Sequence, residues 1–146
     1  MYEGLGRLPA FNPDDDGTPL DPEVVRLREQ IHGADAILFS TPEYAGALPG
    51  SLKNLLDWCI GDPHPRSIYN KPVGWVNTSP RGAEGAHAEL RTVLGYAHAR
   101  IVDGACAYVP VTSGMIGIDG YVTDEVAIAT AESLLRALAD ASVPAC

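Results

Sequence analysis

The sequence lacks an apolar run of the roughly 18 residues that a membrane-spanning helix requires, so no membrane partner is predicted. Basic residues are also scarce: the 10 Lys and Arg stand against 19 Asp and Glu, and the formal net charge is −9. Because an acidic surface repels phosphate backbones, we expect no nucleic acid partner. The first residues do not lead from a basic stretch into an apolar one, which argues against a secretory signal and favours a cytoplasmic protein.

Cysteine is rare, and its positions follow no metal-binding pattern. Cys59, Cys106 and Cys146 form no C-x-x-C pair and share no spacing with the histidines. This scattered set argues against a disulfide framework and a zinc site, so we predict ordinary thiols and no metal. The consecutive aspartates at positions 14–16 lack the alternating ligands and distal glutamate of a calcium loop, and we interpret them as a solvated loop.

Apolar residues are plentiful, at 46% of the chain, which is enough for a buried core in a single domain spanning residues 1–146. Four segments carry apolar residues at intervals of three and four, which predicts helices. We expect Asp21 to cap the first helix and Thr123 to cap the last. The predicted buried positions are Val24, Leu27 and Ile31 in the first helix, Leu48, Leu52, Leu55, Leu56 and Cys59 in the second, Ala86, Leu90, Val93, Leu94 and Ala97 in the third, and Ala127, Ala131, Leu134, Leu135 and Leu138 in the fourth.

Three apolar segments without polar alternation lie between these helices, as is typical of parallel strands covered on both faces. They span residues 34–40, 72–79 and 99–111, and Gly104 suggests an irregularity in the third. Strands separated by helices imply right-handed crossovers. The sequence therefore predicts an open, doubly wound α/β fold with a parallel sheet.

Two loops in this pattern are richer in special residues than a plain turn requires. In such a sheet, ligands bind beyond the carboxyl ends of the strands, where the segments TPEYAGALPG (41–50) and SPRGAEG (79–85) are expected. A helix start after each loop offers free N–H groups, and Tyr44 offers an aromatic surface. The residues alone leave two interpretations open: plain turns, or a cleft for a small planar ligand.

The segment TPEYAGALPGSLKNLLDW (41–58) resembles the P-E-Y-N-G-x-x-P-G-x-L-K-N-x-x-D-W pattern of the NADPH-dependent FMN reductase family. LPAFNPDDDGTP, KPVGWVNTSPRGAEGAHAELRTVL and DGYVTDEV resemble the same family in the same order, so the resemblance covers nearly the whole chain. It implies a flavodoxin-like, three-layer α/β/α fold with FMN at a switch point of the sheet.

By this resemblance, both loops would bind FMN, and NADPH would be the hydride donor. Ala45 stands where the family usually has asparagine, and Arg81 stands where it often has glycine. The helix beginning at Pro49 resembles one that the family packs in its dimer, so we expect a homodimer or homotetramer. The implied cofactor-binding residues, with no catalytic side chain among them, are Thr41, Pro42, Glu43, Tyr44, Ala45, Gly46, Ser79, Pro80, Arg81 and Gly82.

The family's first strand and its Ser/Arg-rich phosphate loop have no counterpart in the sequence. We therefore expect an N-terminally truncated form of the fold, in which the strand at 34–40 becomes a sheet edge. FMN affinity should fall, because the charge-assisted hydrogen bonds to the phosphate are lost. The leading hypothesis is an FMN-dependent NAD(P)H oxidoreductase acting on a small-molecule electron acceptor such as a flavin or quinone. The alternatives are a flavin-free remnant serving as a dimerisation or interaction module, and an electron carrier like flavodoxin.

Overall fold

Three parallel strands and four α-helices alternate along the chain in the computed structural model, which describes residues 1–17 and 19–143. The parallel α/β fold predicted from the sequence is confirmed. The strands are β1 (Ile37–Ser40), β2 (Pro72–Asn77) and β3 (Arg100–Tyr108). The helices are α1 (Pro22–Gly33), α2 (Gly50–Ile60), α3 (Glu84–Tyr96) and α4 (Glu125–Ser142), with short 3-10 helices at Leu5–Arg7, Pro13–Asp15 and Ser113–Met115.

The strands are shorter than the apolar segments suggested. β1 begins at Ile37, and Ala34 still belongs to the end of α1, since its N–H donates to the carbonyls of Gln30 and Ile31. β2 ends at Asn77 because the side-chain oxygen of Asn77 accepts a hydrogen bond from the Ser79 N–H, at 3.1 Å, and turns the chain into the next loop. Local hydrogen bonds at the ends of these strands therefore override their apolar composition.

The sheet has the order β1-β2-β3, and β1 pairs only with β2 among the described residues. Phe39 of β1 is buried, whereas the neighbouring Leu38, which points to the opposite face, is 39% exposed. The expected sheet edge at this strand is confirmed. Its outer backbone groups have no ladder partner in the described part of the chain, which is the condition under which strands accept another strand.

β2 and β3 pair with a break in register around Gly74. Val73 pairs with Ile101, but Trp75 pairs with Cys106, so β3 advances by five residues where β2 advances by two. The surplus residues form a bulge that includes Gly104, so the predicted irregularity is confirmed. A Cβ atom at Gly74 would lie 2.3 Å from the backbone oxygen of Ala105, which explains why only glycine fits there.

Helices cover both faces of the sheet, as in the predicted three-layer arrangement. α1, α2 and α3 share one core with Phe39, Val73 and Trp75. α4 packs on the opposite face, where Leu134 and Leu138 contact Ala105 in a smaller core. Burial of these side chains is the main source of stability for the sandwich.

The predicted start and buried face of α4 are wrong at two residues. The cap is Asp124, whose carboxylate accepts from the Ala127 N–H at 2.8 Å, whereas the Thr123 hydroxyl donates to the Met115 carbonyl instead. Leu135 was expected to be buried but is 51% exposed. The expected cap at Asp21 is confirmed, because its carboxylate accepts from the Glu23 N–H at 2.8 Å.

Asp16 does not belong to a solvated loop as the sequence interpretation proposed. Its carboxylate accepts a 2.8 Å hydrogen bond from Arg28, whose side chain is only 8% exposed. Arg28 also donates twice to the carbonyl of Trp58, at 3.0 and 2.8 Å, near the end of α2. One buried guanidinium therefore joins the acidic segment to α1 and α2.

The described cysteines behave as the sequence predicts. Cys59 and Cys106 are free thiols, and burial raises the pKa of Cys59 to about 12. Cys146 lies outside the described residues. Within residues 1–17 and 19–143, no cluster of side chains is suited to a metal ion, and no helix is long and apolar enough to cross a bilayer.

Candidate functional site

The first candidate loop is built around a tight two-residue turn. The N–H and carbonyl of Tyr44 exchange hydrogen bonds of 3.1 and 3.0 Å with those of Ala47. Ala45 and Gly46, between them, both have positive φ angles, of 53° and 74°. Positive φ at both central positions is the signature of the type I′ turn, which favours asparagine followed by glycine. The turn therefore explains the glycine and identifies Ala45 as a strained position.

The first loop presents its tip outward and turns its base inward. Tyr44 is 65% exposed, and Pro42 is exposed as well. The N–H groups of Ala45 and Gly46 donate to no acceptor among the described residues. Thr41, in contrast, is 9% exposed, and its hydroxyl donates to the Pro42 carbonyl at 3.1 Å. The tip is free to meet a ligand, whereas the Thr41 side chain supports the loop from within.

The second candidate loop is organised by Asn77, a residue that sequence reasoning missed. Asn77 is 7% exposed, and its amide nitrogen donates to the Gly82 carbonyl while its oxygen accepts from the Ser79 N–H at 3.1 Å. The Ser79 hydroxyl oxygen accepts from the Arg81 N–H at 3.3 Å. Asn77 is the only polar residue within β2, and a polar residue at the end of an apolar strand could have identified it as a loop-organising residue. Pro80 and Arg81 are exposed at the tip.

The two loops, which are far apart in sequence, touch each other at the carboxyl edge of the sheet. The Glu43 carboxylate accepts a 3.1 Å hydrogen bond from the Ala86 N–H in the first turn of α3. A Cβ atom on Gly85 would lie 2.2 Å from the Gly46 carbonyl oxygen, so the backbones pack directly. The Leu48 N–H donates to the Glu89 carboxylate at 2.5 Å. The loops therefore form one continuous polar surface.

A doubly wound parallel sheet with such a two-loop surface at its carboxyl edge is typical of the flavodoxin-like α/β proteins. A sequence profile of the NADPH-dependent FMN reductases matches residues 3–113. The chain belongs to the NADPH-dependent FMN reductase family.

Individual relatives agree with this assignment. The chain is 37% identical over 92 residues to an NAD(P)H-dependent FMN reductase of Pseudomonas aeruginosa, a match covering 62% of this chain and 49% of the relative. It is 36% identical over 128 residues to a 2-hydroxy-1,4-benzoquinone reductase of a Burkholderia species, covering 85% of this chain and 68% of the relative. The chain thus spans about half to two thirds of the length of these relatives.

A solved structure shares the fold closely. The flavoenzyme FerB from Paracoccus denitrificans, an NAD(P)H:(acceptor) oxidoreductase, superposes with a TM-score of 0.81 at 31% identity. The match covers 94% of this chain and 76% of that chain. The predicted flavodoxin-like, three-layer fold is confirmed by this similarity and by the strand order.

The described residues fit the ring of FMN better than its phosphate. Free N–H groups at Ala45 and Gly46 beside the exposed Tyr44 ring suit a planar ligand with polar edges. Residues 1–17 and 19–143 contain no Ser/Arg-rich loop following a strand that could hold a phosphate. The fit therefore extends to the ring and leaves the phosphate without a described partner.

Ala45→Asn is expected to stabilise the fold by about 1 kcal/mol, because asparagine tolerates the left-handed conformation that strains alanine. Chemical denaturation measures the change. Ala88→Asn, at an exposed position within α3, provides the control and should destabilise by roughly 0.5 kcal/mol, since asparagine is a weaker helix former. Destabilisation of similar size by both changes would contradict the assigned turn.

Proposed function

We propose that the chain carries the flavin-ring site of an FMN-dependent NAD(P)H oxidoreductase acting on a small-molecule acceptor such as a flavin or quinone. The observation that supports this most directly is the contact between the two loops, through Glu43 with Ala86 and Gly46 with Gly85. This contact assembles the residues of the family motif into one surface. The reductase names of the relatives support the same proposal.

The role of the protein in this reaction is binding and orientation. When bound, FMN supplies the redox chemistry, accepting hydride equivalents from NADPH and passing electrons to the acceptor. We propose that Tyr44 covers part of the aromatic ring system, that the N–H groups of Ala45 and Gly46 donate to polar ring atoms, and that Arg81 brings positive charge to the same edge. The remaining proposed binding residues shape the two loops: Thr41, Pro42, Glu43, Ser79, Pro80 and Gly82.

We further propose that residues 1–146 form a single cytoplasmic domain that assembles as a homodimer or homotetramer. A continuous three-stranded sheet supports the single domain. The resemblance of α2 to the helix that the family packs in its dimer supports the assembly. Light scattering on the purified chain measures its mass.

Fluorescence titration of FMN with the purified chain tests the proposed site. We expect quenching of flavin fluorescence and bleaching of the yellow complex by NADPH. Tyr44→Leu should weaken FMN binding by about threefold to tenfold, because aromatic packing contributes roughly 0.5–1.5 kcal/mol beyond buried area. Tyr96→Leu is the matched control, since Tyr96 is 80% exposed at the opposite end of α3 and should leave binding unchanged.

The other outcomes separate the alternatives. Absence of quenching at millimolar FMN would overturn the proposal and favour a flavin-free interaction module. The outer edge of β1, which pairs with no other strand in the described part of the chain, is the surface that such a module would offer to a partner. FMN binding without bleaching by NADPH would favour an electron carrier instead.

A further inference from the structure

The N-terminus of α3 obtains its cap from another part of the chain. Ala83 occupies the N-cap position in the left-handed conformation, with φ 53° and ψ 39°, and has no side-chain oxygen to accept from the first turn. The Glu43 carboxylate takes that role, accepting from the Ala86 N–H at 3.1 Å. A carboxylate at this end also interacts favourably with the positive end of the helix dipole.

A second carboxylate makes the reciprocal contact. Glu89, one turn further along α3, accepts from the Leu48 N–H at 2.5 Å, just before Pro49 introduces α2. The first loop and α3 therefore each hold a backbone N–H of the other: Glu43 reaches from the first loop to α3, and Glu89 reaches from α3 to the first loop. Both bonds are charge-assisted, and such bonds are shorter and stronger than neutral ones.

The first loop and the start of α3 also pack closely at Gly46 and Gly85. A Cβ atom on Gly85 would approach the Gly46 carbonyl oxygen to 2.2 Å and the Glu43 carboxylate to 3.1 Å. Such a gap excludes side chains, so the loops cannot shift past each other without breaking one of the two carboxylate contacts. The two carboxylate hydrogen bonds together with this close backbone contact constrain both sliding and opening.

We propose that Glu43 and Glu89 are positioning residues that lock the first loop onto the start of α3, so that both flavin loops move as a single rigid unit. The functional consequence of the lock rests on the proposed function: the flavin ring would meet a preformed surface and not two independent loops. The contact itself exists without any ligand and can be measured in its absence.

Amide hydrogen exchange on the ligand-free 146-residue chain tests the lock. Glu43→Ala should accelerate exchange at Ala86, its own partner, and also at Leu48, whose N–H donates to Glu89 instead. Glu89→Ala should likewise accelerate exchange at Leu48, its own partner, and also at Ala86. We expect the exchange rate to rise roughly tenfold or more at both amides, as for loss of a charged hydrogen bond. This crossed effect distinguishes a shared lock from two separate caps, each of which would protect only its own amide.

Conservative variants and controls separate the lock from general destabilisation. Glu43→Gln keeps an acceptor oxygen and loses the charge, so its exchange should lie between that of the original chain and that of Glu43→Ala. Glu84→Ala removes an exposed carboxylate from the same helix end and should leave Leu48 unchanged. Amides of α4, on the other face of the sheet, should keep their rates in all variants. If both alanine variants fail to fold, the glutamine variant carries the test.

The possible results are distinct for the lock and for the proposed function. Exchange at Leu48 that stays within about twofold in Glu43→Ala or Glu43→Gln, while Ala86 accelerates, would overturn the lock. FMN affinity in the same variants is the second readout, and it should fall by a similar factor for Glu43→Ala and Glu89→Ala. If the unmodified chain binds no FMN but the crossed exchange is present, the lock stands and the proposed function fails.

Discussion

Replacing Arg28 by methionine is expected to destabilise the folded chain by about 3 kcal/mol, because the change leaves buried polar groups without a partner. The Trp58 carbonyl loses two donors, and the Asp16 carboxylate, with 14% of its side chain exposed, loses its cation. Methionine fills a similar volume, so the loss reports the polar contacts more than a cavity. Urea denaturation followed by tryptophan fluorescence measures the change, since Trp58 is 1% exposed beside the site.

Arg26→Met provides the matched control on the same helix. Arg26 pairs with Glu23 at 3.0 Å, but its side chain is 53% exposed, and pairs of this kind contribute roughly 0–0.5 kcal/mol. High salt should weaken the Arg26 contribution further and leave that of Arg28 nearly unchanged. Equal losses for the two variants would mean that the Asp16–Arg28 contact is solvated in solution.

Gly74→Ala is expected to destabilise the chain by about 3 kcal/mol, since its methyl group would overlap the backbone of β3. The nearest atoms to the new carbon would be the oxygen and the Cβ of Ala105, at 2.3 and 2.7 Å. Both belong to the neighbouring strand and cannot rotate away, so β2 and β3 must separate. Thermal unfolding by circular dichroism gives the loss as a lower transition temperature.

Gly95→Ala makes the same chemical change as Gly74→Ala, at a position where the opposite effect on stability is expected. Gly95 lies in α3, and a Cβ atom there would meet nothing within 4 Å. Alanine should therefore stabilise the helix by roughly 0.5–1 kcal/mol. A Gly74→Ala variant as stable as the Gly95→Ala variant would show that the close approach of β2 and β3 is absent in solution.

Most of the fold could be predicted from local sequence patterns. Helical spacing, the proline after Asp21, and apolar segments between helices were sufficient to predict the parallel sheet and its order of elements, because each depends on residues a few positions apart. The prediction of the α4 cap was wrong because two neighbouring residues can both cap the helix. Thr123 and Asp124 are both good caps, and only the distant Met115 carbonyl, which accepts from Thr123, decides between them.

The candidate site was predicted at the level of loops and not of contacts. The family motif predicts residues 41–46 and 79–82 as the binding segments. The capping role of Glu43 could not be read from the sequence, because its partner Ala86 lies 43 positions away. The same holds for Asp16, whose burial depends on Arg28 and on the end of α2. Long-range polar contacts of this kind follow from the assembled fold.

Because of the bulge, the number of residues in β3 determines which of its side chains face each side of the sheet. Side chains alternate between the two faces of a strand, and the surplus residues opposite Gly74 set which of them faces Trp75. Removing one residue between positions 102 and 104 would exchange the faces of the following segment. Ala107 would then point toward α3, and Cys106 and Tyr108 would replace the smaller Ala105 and Ala107 side chains in the small α4 core. Insertions and deletions should therefore be far less tolerated in this short stretch than substitutions.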